Sequence, residues 1–360
     1  MVLRFKFKFF NYFRRSFALF EQFINGERSF IIAEVGQNHQ GNEEKALKYI
    51  EKFAMAGADA IKFQKRDNDV LFDKASLVRQ YENPNSFGKT YGEHRKKLEL
   101  DPGFYKELKA ECNRVDVKFM VTPFDEPSLE MLTKLDIDIF KIASFDLGNI
   151  PFISLIAELK KPVVLSVGGG KHSEIASSID CIFDYHTDVS VLHCVSEYPC
   201  PAHHLGLQNI EKLKDLYPNV SIGLSDHFNG ILSGPVGYMK GARVFEKHVT
   251  FDRSQAGSDH AFSLEPEGFT RFCRDIRRVS TMLPSKLEET IGTEDVFKKL
   301  GKSLVAKIDL EKGDVLSKSM LTSKIISEEG IPVRESSQVI GRTVKSPIKR
   351  HSTILPEHLD

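Results

Sequence analysis

Two histidines, His227 in Ser-Asp-His and His248 in Glu-Lys-His, each close a short apolar run, and Glu34 closes a third. Imidazoles from two such runs can share one divalent cation while a carboxylate and water complete its shell, a donor set that suits manganese or magnesium. Two histidines hydrogen-bonded at a rim is the plain structural alternative. A second group of residues offers cationic and hydroxyl donors: Lys62, Thr122, Lys141, Ser144, Ser166 and Ser225, spread over successive apolar runs. Donors converging in this way bind a ligand that carries both a phosphate and a carboxylate, and phosphoenolpyruvate fits that description. A lone lysine at a strand end is ordinarily a surface charge, but Lys62 and Lys141 stand inside runs that read as inward-facing. His39, His193, His203 and His204 have no ligand spacing. The glycines at 168–170 lack the spacing of a dinucleotide loop and serve either close approach to a phosphate or a tight turn.

Such residues need a scaffold that gathers strand ends. From about residue 30, short β-rich runs alternate with amphipathic stretches, the pattern of a parallel sheet. Candidate strands cover 30–35, 60–64, 118–122, 139–142, 163–167, 190–193, 221–223 and 243–246, with helical stretches such as 43–55, 150–159 and 265–281 between and after them. This predicts a closed (β/α)8 TIM barrel, in which chemistry sits at the C-terminal strand ends; a doubly wound open sheet shares much of the pattern. The expected domains are an N-terminal extension (1–27), the barrel (28–285) and a small β-rich domain with Gly and Pro turns (295–360). The polar insertion at 68–100 belongs over the top face, as a lid or as disordered decoration.

Composition sets the outer limits. Lys plus Arg and Asp plus Glu are both 50 in 360 residues, which leaves no net field to attract nucleic acid or an acidic membrane. The five cysteines (Cys112, Cys181, Cys194, Cys200, Cys273) are odd in number and scattered, which fits buried thiols in a reducing cytoplasm rather than a disulfide framework. The first 23 residues mix Phe with Lys and Arg, and no apolar run there reaches the length of a signal core or a membrane span. A cytoplasmic protein without a membrane span is the expectation, its extension either packed on the barrel or lying on a membrane surface.

The ordered segments IIAEVGQNHQGN, IKFQ, VTPFDE, FKIAS, HCVSEYPCP, GLSDH, FEKHVTFDR and GSDHAFSLEP resemble the sialic acid synthase family, which includes the legionaminate and pseudaminate synthases. The resemblance runs from about residue 28 to 360 and makes the small domain similar to the antifreeze-like (SAF, β-clip) module. It implies that Lys62, Thr122, Lys141, Ser144, Ser166 and Ser225 contact phosphoenolpyruvate, with Ser196 where the family often has Asn. His227 and His248 match its metal ligands, and manganese, magnesium and cobalt are the candidate ions. Glu34, Gln64, Tyr198 and Asp259 match positions that hold the amino sugar. Asp146 falls where the family usually has a catalytic or sugar-contacting Glu, a change that withdraws the charge by roughly an ångström. The family's Arg before the Gly-Ile-Pro segment is not evident, leaving Lys324 or Arg334 as substitutes.

The resemblance implies condensation of phosphoenolpyruvate with an N-acyl amino sugar, either N-acetylmannosamine or a 2,4-diacetamido trideoxy hexose, to give a nonulosonic acid. Lys62 and Lys141 would hold the phosphate and carboxylate, and Glu34 or Asp146 would orient or activate the water that adds at C2. It also implies a swapped homodimer in which the small domain of one subunit covers the barrel of the other. The alternatives are a synthase acting on an aldose phosphate, for which few further cationic residues stand out, a metal-dependent barrel hydrolase, and a non-catalytic carbohydrate-binding relative.

Overall fold

The computed structural model describes residues 18–285, 287–327 and 329–360, so the first 17 residues of the expected extension lie outside the described residues. Eight parallel strands close into a barrel: β1 (Phe30–Gly36), β2 (Ala60–Lys65), β3 (Lys118–Pro123), β4 (Ile139–Ile142), β5 (Val163–Ser166), β6 (Val189–Cys194), β7 (Ser221–Asp226) and β8 (Val244–His248). Each pairs with the next, and β8 returns to β1 with Glu34 opposite His248. The open-sheet alternative is thereby removed. Helices α1 (Glu43–Met55), α2 (Asn68–Leu71), α3 (Lys74–Val78), α4 (Tyr91–Leu98), α5 (Tyr105–Arg114), α6 (Glu126–Thr133), α7 (Ile150–Glu158), α8 (His172–Phe183), α9 (Gln208–Leu216), α10 (Ser233–Met239) and α11 (Pro266–Met282) connect or follow the strands.

Alternation along the strands produces both core and site. Side chains two apart share a face, and the lower inward positions are apolar: Phe30, Ile32, Ala60, Met120, Ile139, Val164, Leu192 and Val244 form one cluster inside the barrel. Two residues further along, the inward position becomes polar on strand after strand, as in Ile32 to Glu34, Ala60 to Lys62, Met120 to Thr122, Ile139 to Lys141, Val164 to Ser166 and Val244 to Glu246. The other face of each strand packs under the helices in the larger apolar core. The bottom is sealed from the N-terminal side, where Phe20 and Phe23 join the inner cluster and the backbone N–H groups of Leu19 and Phe20 donate to Asp188, both at 2.7 Å. Residues 18–23 of the extension therefore pack on the barrel.

The insertion at 68–100 is ordered, not a disordered decoration. It forms α2, α3 and α4, the last closed by a capping box in which Thr90 accepts from the Glu93 N–H and Glu93 accepts from the Thr90 N–H. Asp125 ties it down by accepting the Asp67 N–H at 2.8 Å while also capping α6. All five cysteines are buried and free.

Contacts divide the chain into two compact units at Leu283/Pro284, just before the expected end of the barrel domain. The second unit has one antiparallel pair, β9 (Lys302–Ala306) with β10 (Leu321–Ile325), and a core of its own that includes Leu304, Leu310, Leu316, Ile348 and Ile354. Within it the Arg334 guanidinium lies 5.4 Å from the Phe297 ring centroid. Among the described residues no helix is long and apolar enough to cross a membrane.

Candidate active site

A cavity of about 630 Å³ opens at the C-terminal ends of the strands. Of the expected site residues, Glu34, Lys62, Gln64, Thr122, Lys141, Ser144, Ser166, Tyr198, Ser225, His227, His248 and Asp259 all line it. Register explains the convergence. Glu34 is the strand partner of Lys62 as well as of His248, Gln64 is opposite Thr122, and Cys194 is opposite Ser225. Gly36 ends β1 with φ +55°, and a Cβ there would stand within 3.5 Å of Glu34 Oε1, Gln64 Nε2 and Asp259 Oδ2, so these three polar groups meet at one point.

The floor is a buried charge network. Lys62 Nζ lies 2.7 Å from Glu34 Oε2 and 3.6 Å from Glu246 Oε1, and it also donates to Thr122 Oγ1 at 3.2 Å. Gln64 Nε2 donates to Glu34 Oε1 at 2.6 Å, and the Ser225 hydroxyl donates to Glu246 Oε1 at 3.3 Å. The two carboxylates are driven in opposite directions. Burial raises the Glu34 carboxyl, with Lys62 only partly offsetting it, whereas burial of Glu246 is overcome by Lys62 and Lys141 and its carboxyl is held low. Burial lowers the Lys141 ammonium, while for Lys62 the same burial is outweighed by Glu246 and Glu34 and the ammonium is raised. Ser166 Oγ is buried without a hydrogen-bond partner, a donor held ready for a ligand.

The imidazoles of His227 and His248 stand with ring centroids 5.5 Å apart, and Tyr198 packs on His227 at 4.1 Å. His227 Nδ1 is 2.8 Å from the Val195 carbonyl, which can only accept. The proton therefore sits on Nδ1, and Nε2 presents its lone pair. His248 Nδ1 is buried without a hydrogen-bond partner, with Asp259 Oδ2 at 3.7 Å, and Glu246 Oε2 is likewise buried and unpartnered. Two imidazoles beside carboxylate oxygens with free lone pairs fit a divalent cation. Among the described residues no three such groups already form a metal cluster.

Asp146 and Ser196 are placed outside the lining. β4 ends at Ile142, and Ser144–Asp146 form a single 3-10 turn that turns Ser144 and Phe145 to the cavity and Asp146 onto the following turn, where the Asn149 amide donates to it at 3.1 Å. Ser196 is exposed beyond the end of β6, and its Oγ would be 2.7 Å from a Cβ on Gly168. Sequence reasoning passed over Glu246, Cys194, Arg66 and Arg95, all of which line the cavity. Glu246 and Cys194 were within reach: Glu246 precedes His248 by two residues and must share its face, and Cys194 is the inward end of β6. Arg66 and Arg95 had no comparable signal, because Arg95 arrives on α4 from the insertion.

Residues 49–288 match the NeuB family, and residues 301–360 match a SAF domain. Human N-acetylneuraminate-9-phosphate synthase is 34% identical over 332 residues, 92% of this chain and 92% of that one. The N,N'-diacetyllegionaminic acid synthase of Campylobacter jejuni is 32% identical, covering 91% of this chain and 99% of its own. The crystal structure of N-acetylneuraminic acid synthetase from Leptospira borgpetersenii, in complex with citrate, aligns with a TM-score of 0.65 at 32% identity, covering 75% of this chain and 90% of that one. A family match over residues 49–288, a second over 301–360 and a relative 34% identical across 92% of this chain have one meaning: the chain belongs to the NeuB family.

Proposed function

We propose that this protein joins phosphoenolpyruvate to the aldehyde of an open-chain N-acyl amino sugar, releasing inorganic phosphate and a nonulosonic acid. The observation that carries this reading is the pair of buried lysines, Lys62 and Lys141, in one cavity with two carboxylates that are pushed apart in proton affinity. The lysines hold the phosphate and carboxylate of phosphoenolpyruvate, joined by the free hydroxyl of Ser166 and by Thr122, Ser144 and Ser225. C3 of the enol then bonds to the sugar aldehyde carbon, and positive charge develops at C2 over Glu246, whose carboxylate stays ionised. Water adds at C2 and gives its proton to Glu34, the carboxyl that burial has made the better base. The C2 hydroxyl so formed then loses its proton as the C2–O bond to the phosphate breaks, which leaves the ketone. Of the two protons of the added water, one ends on the former aldehyde oxygen and one on the departing phosphate.

Gln64, Asp259 and Tyr198 orient the sugar at the upper end of the cavity. The chemistry that a divalent cation supplies when held by His227 and His248 is Lewis-acid polarisation of the aldehyde oxygen, with manganese as first choice and magnesium or cobalt as alternatives. The same reading carries a homodimer in which the small unit of one subunit serves the barrel of its partner.

Phosphate release from phosphoenolpyruvate, measured with manganese in the presence of N-acetylmannosamine, 2,4-diacetamido trideoxy hexoses or no sugar, tests the reaction. Release that needs a sugar and stops on chelation is expected; sugar-independent release, or none with any acceptor, would refute it. Sedimentation of the same preparation reads the dimer.

A further inference from the structure

Asp226 and Lys247 are buried charges that the chemistry above leaves unused. They are strand partners across β7 and β8, and each stands one residue before an imidazole proposed to hold the cation, His227 or His248. Alternation turns Ser225, Glu246 and both histidines toward the cavity, so Asp226 and Lys247 point the other way, and neither lines it. Both side chains are closed off from solvent, at 0% exposure, with Lys247 Nζ 2.7 Å from Asp226 Oδ2.

The pair also gathers its surroundings. Asp226 accepts from the Ser233 hydroxyl, at the start of α10, at 2.5 Å and from the Phe228 N–H at 3.0 Å, and Lys247 donates to the Phe228 carbonyl as well. Lys247, the residue before His248, thus grips the residues on both sides of His227. A buried ion pair is poor evidence of stabilisation, since taking two charges out of water costs about as much as their attraction returns, and an apolar pair can hold two strands equally well. What apolar contacts lack is direction. A hydrogen-bonded ion pair permits one relative placement of two strand ends, whereas apolar side chains in its place tolerate sliding.

Placement matters because the two imidazoles are unevenly held. His227 is fixed by its Nδ1 bond to the Val195 carbonyl and by its own carbonyl, which accepts the Cys200 N–H at 3.0 Å, while His248 Nδ1 has no hydrogen-bond partner. The 5.5 Å between their ring centroids therefore depends on how β8 is set against β7. We infer that Asp226 and Lys247 form a positioning clamp for the cation: acting through the backbone, they hold His227 and His248 at the spacing that one divalent ion requires. The clamp rests on the cation assignment proposed above, and not on the sugar or the condensation.

The test is manganese binding to the full chain, stripped of metal by chelator and dialysed, without phosphoenolpyruvate or sugar. It is read from the loss of the free ion's electron paramagnetic resonance signal, beside a melting curve for each variant. Asp226→Asn and Lys247→Met each leave one buried charge unpaired, and both should melt lower and bind manganese more weakly. The combined Asp226→Asn, Lys247→Met variant leaves none. Its melting temperature should return toward that of the parent while its manganese Kd stays about tenfold or more higher, the size typical of losing a group that orients a metal ligand. Recovery of the parent's affinity together with its stability in that variant would reduce the pair to packing and overturn the clamp. So would parent affinity in either single variant, manganese bound equally well after His248→Ala, or a parent that binds no manganese. Should the combined variant fail to fold, Asp226→Asn titrated below its melting transition decides in the same way. Because no substrate is present, a failed condensation assay leaves the clamp standing, and loss of the clamp leaves the condensation to its own test.

Discussion

Glu34, Glu246 and Asp146 are three carboxylates whose surroundings assign them different work. Glu34 and Glu246 face one ammonium, Lys62, at 2.7 and 3.6 Å, yet burial leaves the first easier to protonate and the added field of Lys141 keeps the second ionised. Asp146 also feels Lys141, but burial and the Asn149 amide dominate its surroundings, and it does not reach the cavity wall. The consequence can be measured by steady-state kinetics on isosteric variants. Glu34→Gln should lower kcat by roughly a hundredfold or more, because a positioned base is lost. Asp146→Asn should cost less than about tenfold, the size of an indirect positioning effect. The reverse order would return the water-activating role to Asp146. The family resemblance pointed to Glu34 and Asp146 alike, since both match positions of carboxylates in that family's site. What separated them was the 3-10 turn after β4, whose rotation of one side chain away from the mouth depends on packing that no local pattern reveals.

At the scale of elements, the strands were legible and the turns between them only partly so. The runs around Lys62 and Lys141 read as inward-facing in the sequence, and Thr122, Ser166 and Ser225 stood out as donors on separate strands; the same alternation, carried one strand further, accounts for Glu246. The turn after β5 required the structure. A Cβ at Gly168 would sit 2.7 Å from Ser196 Oγ, 2.9 Å from Ser144 Oγ and 3.1 Å from Cys194 Sγ, so a larger residue there must displace these side-chain ends, whereas at Gly169 nothing lies within 4 Å. The Gly168 N–H also donates to Ser144 Oγ at 2.9 Å. The run of glycines therefore contains one position that needs close approach and one, at φ +71°, that needs the left-handed conformation. Gly168→Ala should displace the Ser144 hydroxyl, proposed to hold phosphoenolpyruvate, and raise its KM by about tenfold or more. Gly169→Ala should instead cost about 1–2 kcal/mol of stability with KM little changed. Melting curves beside KM values distinguish the two, and an unchanged KM in Gly168→Ala would remove that turn from the binding site.

For the whole molecule, closure is the governing fact. A barrel of eight parallel strands has no free edge, but its lower end must be filled, and here residues from outside the barrel help to fill it. Phe20 is buried against Phe30 in an edge-to-face contact at 5.9 Å, and the adjoining backbone is held by Asp188. Phe20→Ala should cost about 3–5 kcal/mol and lower the melting temperature by roughly 10 °C. Because the plug lies at the opposite end from the cavity, KM for phosphoenolpyruvate should hold; a loss of affinity without a loss of stability would contradict this division of the barrel. By itself the sequence determined the count and order of the strands, the inward reading of Lys62 and Lys141 and the existence of a separate C-terminal unit, because alternation and turn chemistry are local properties of the chain. The tertiary structure alone decided that the strands close on themselves, that residues 18–23 seal the barrel and that the insertion folds into helices carrying Arg95 to the cavity beside Arg66. Those outcomes depend on contacts between residues far apart in the chain, whose energies come from burial and electrostatic fields that appear only once the chain has folded.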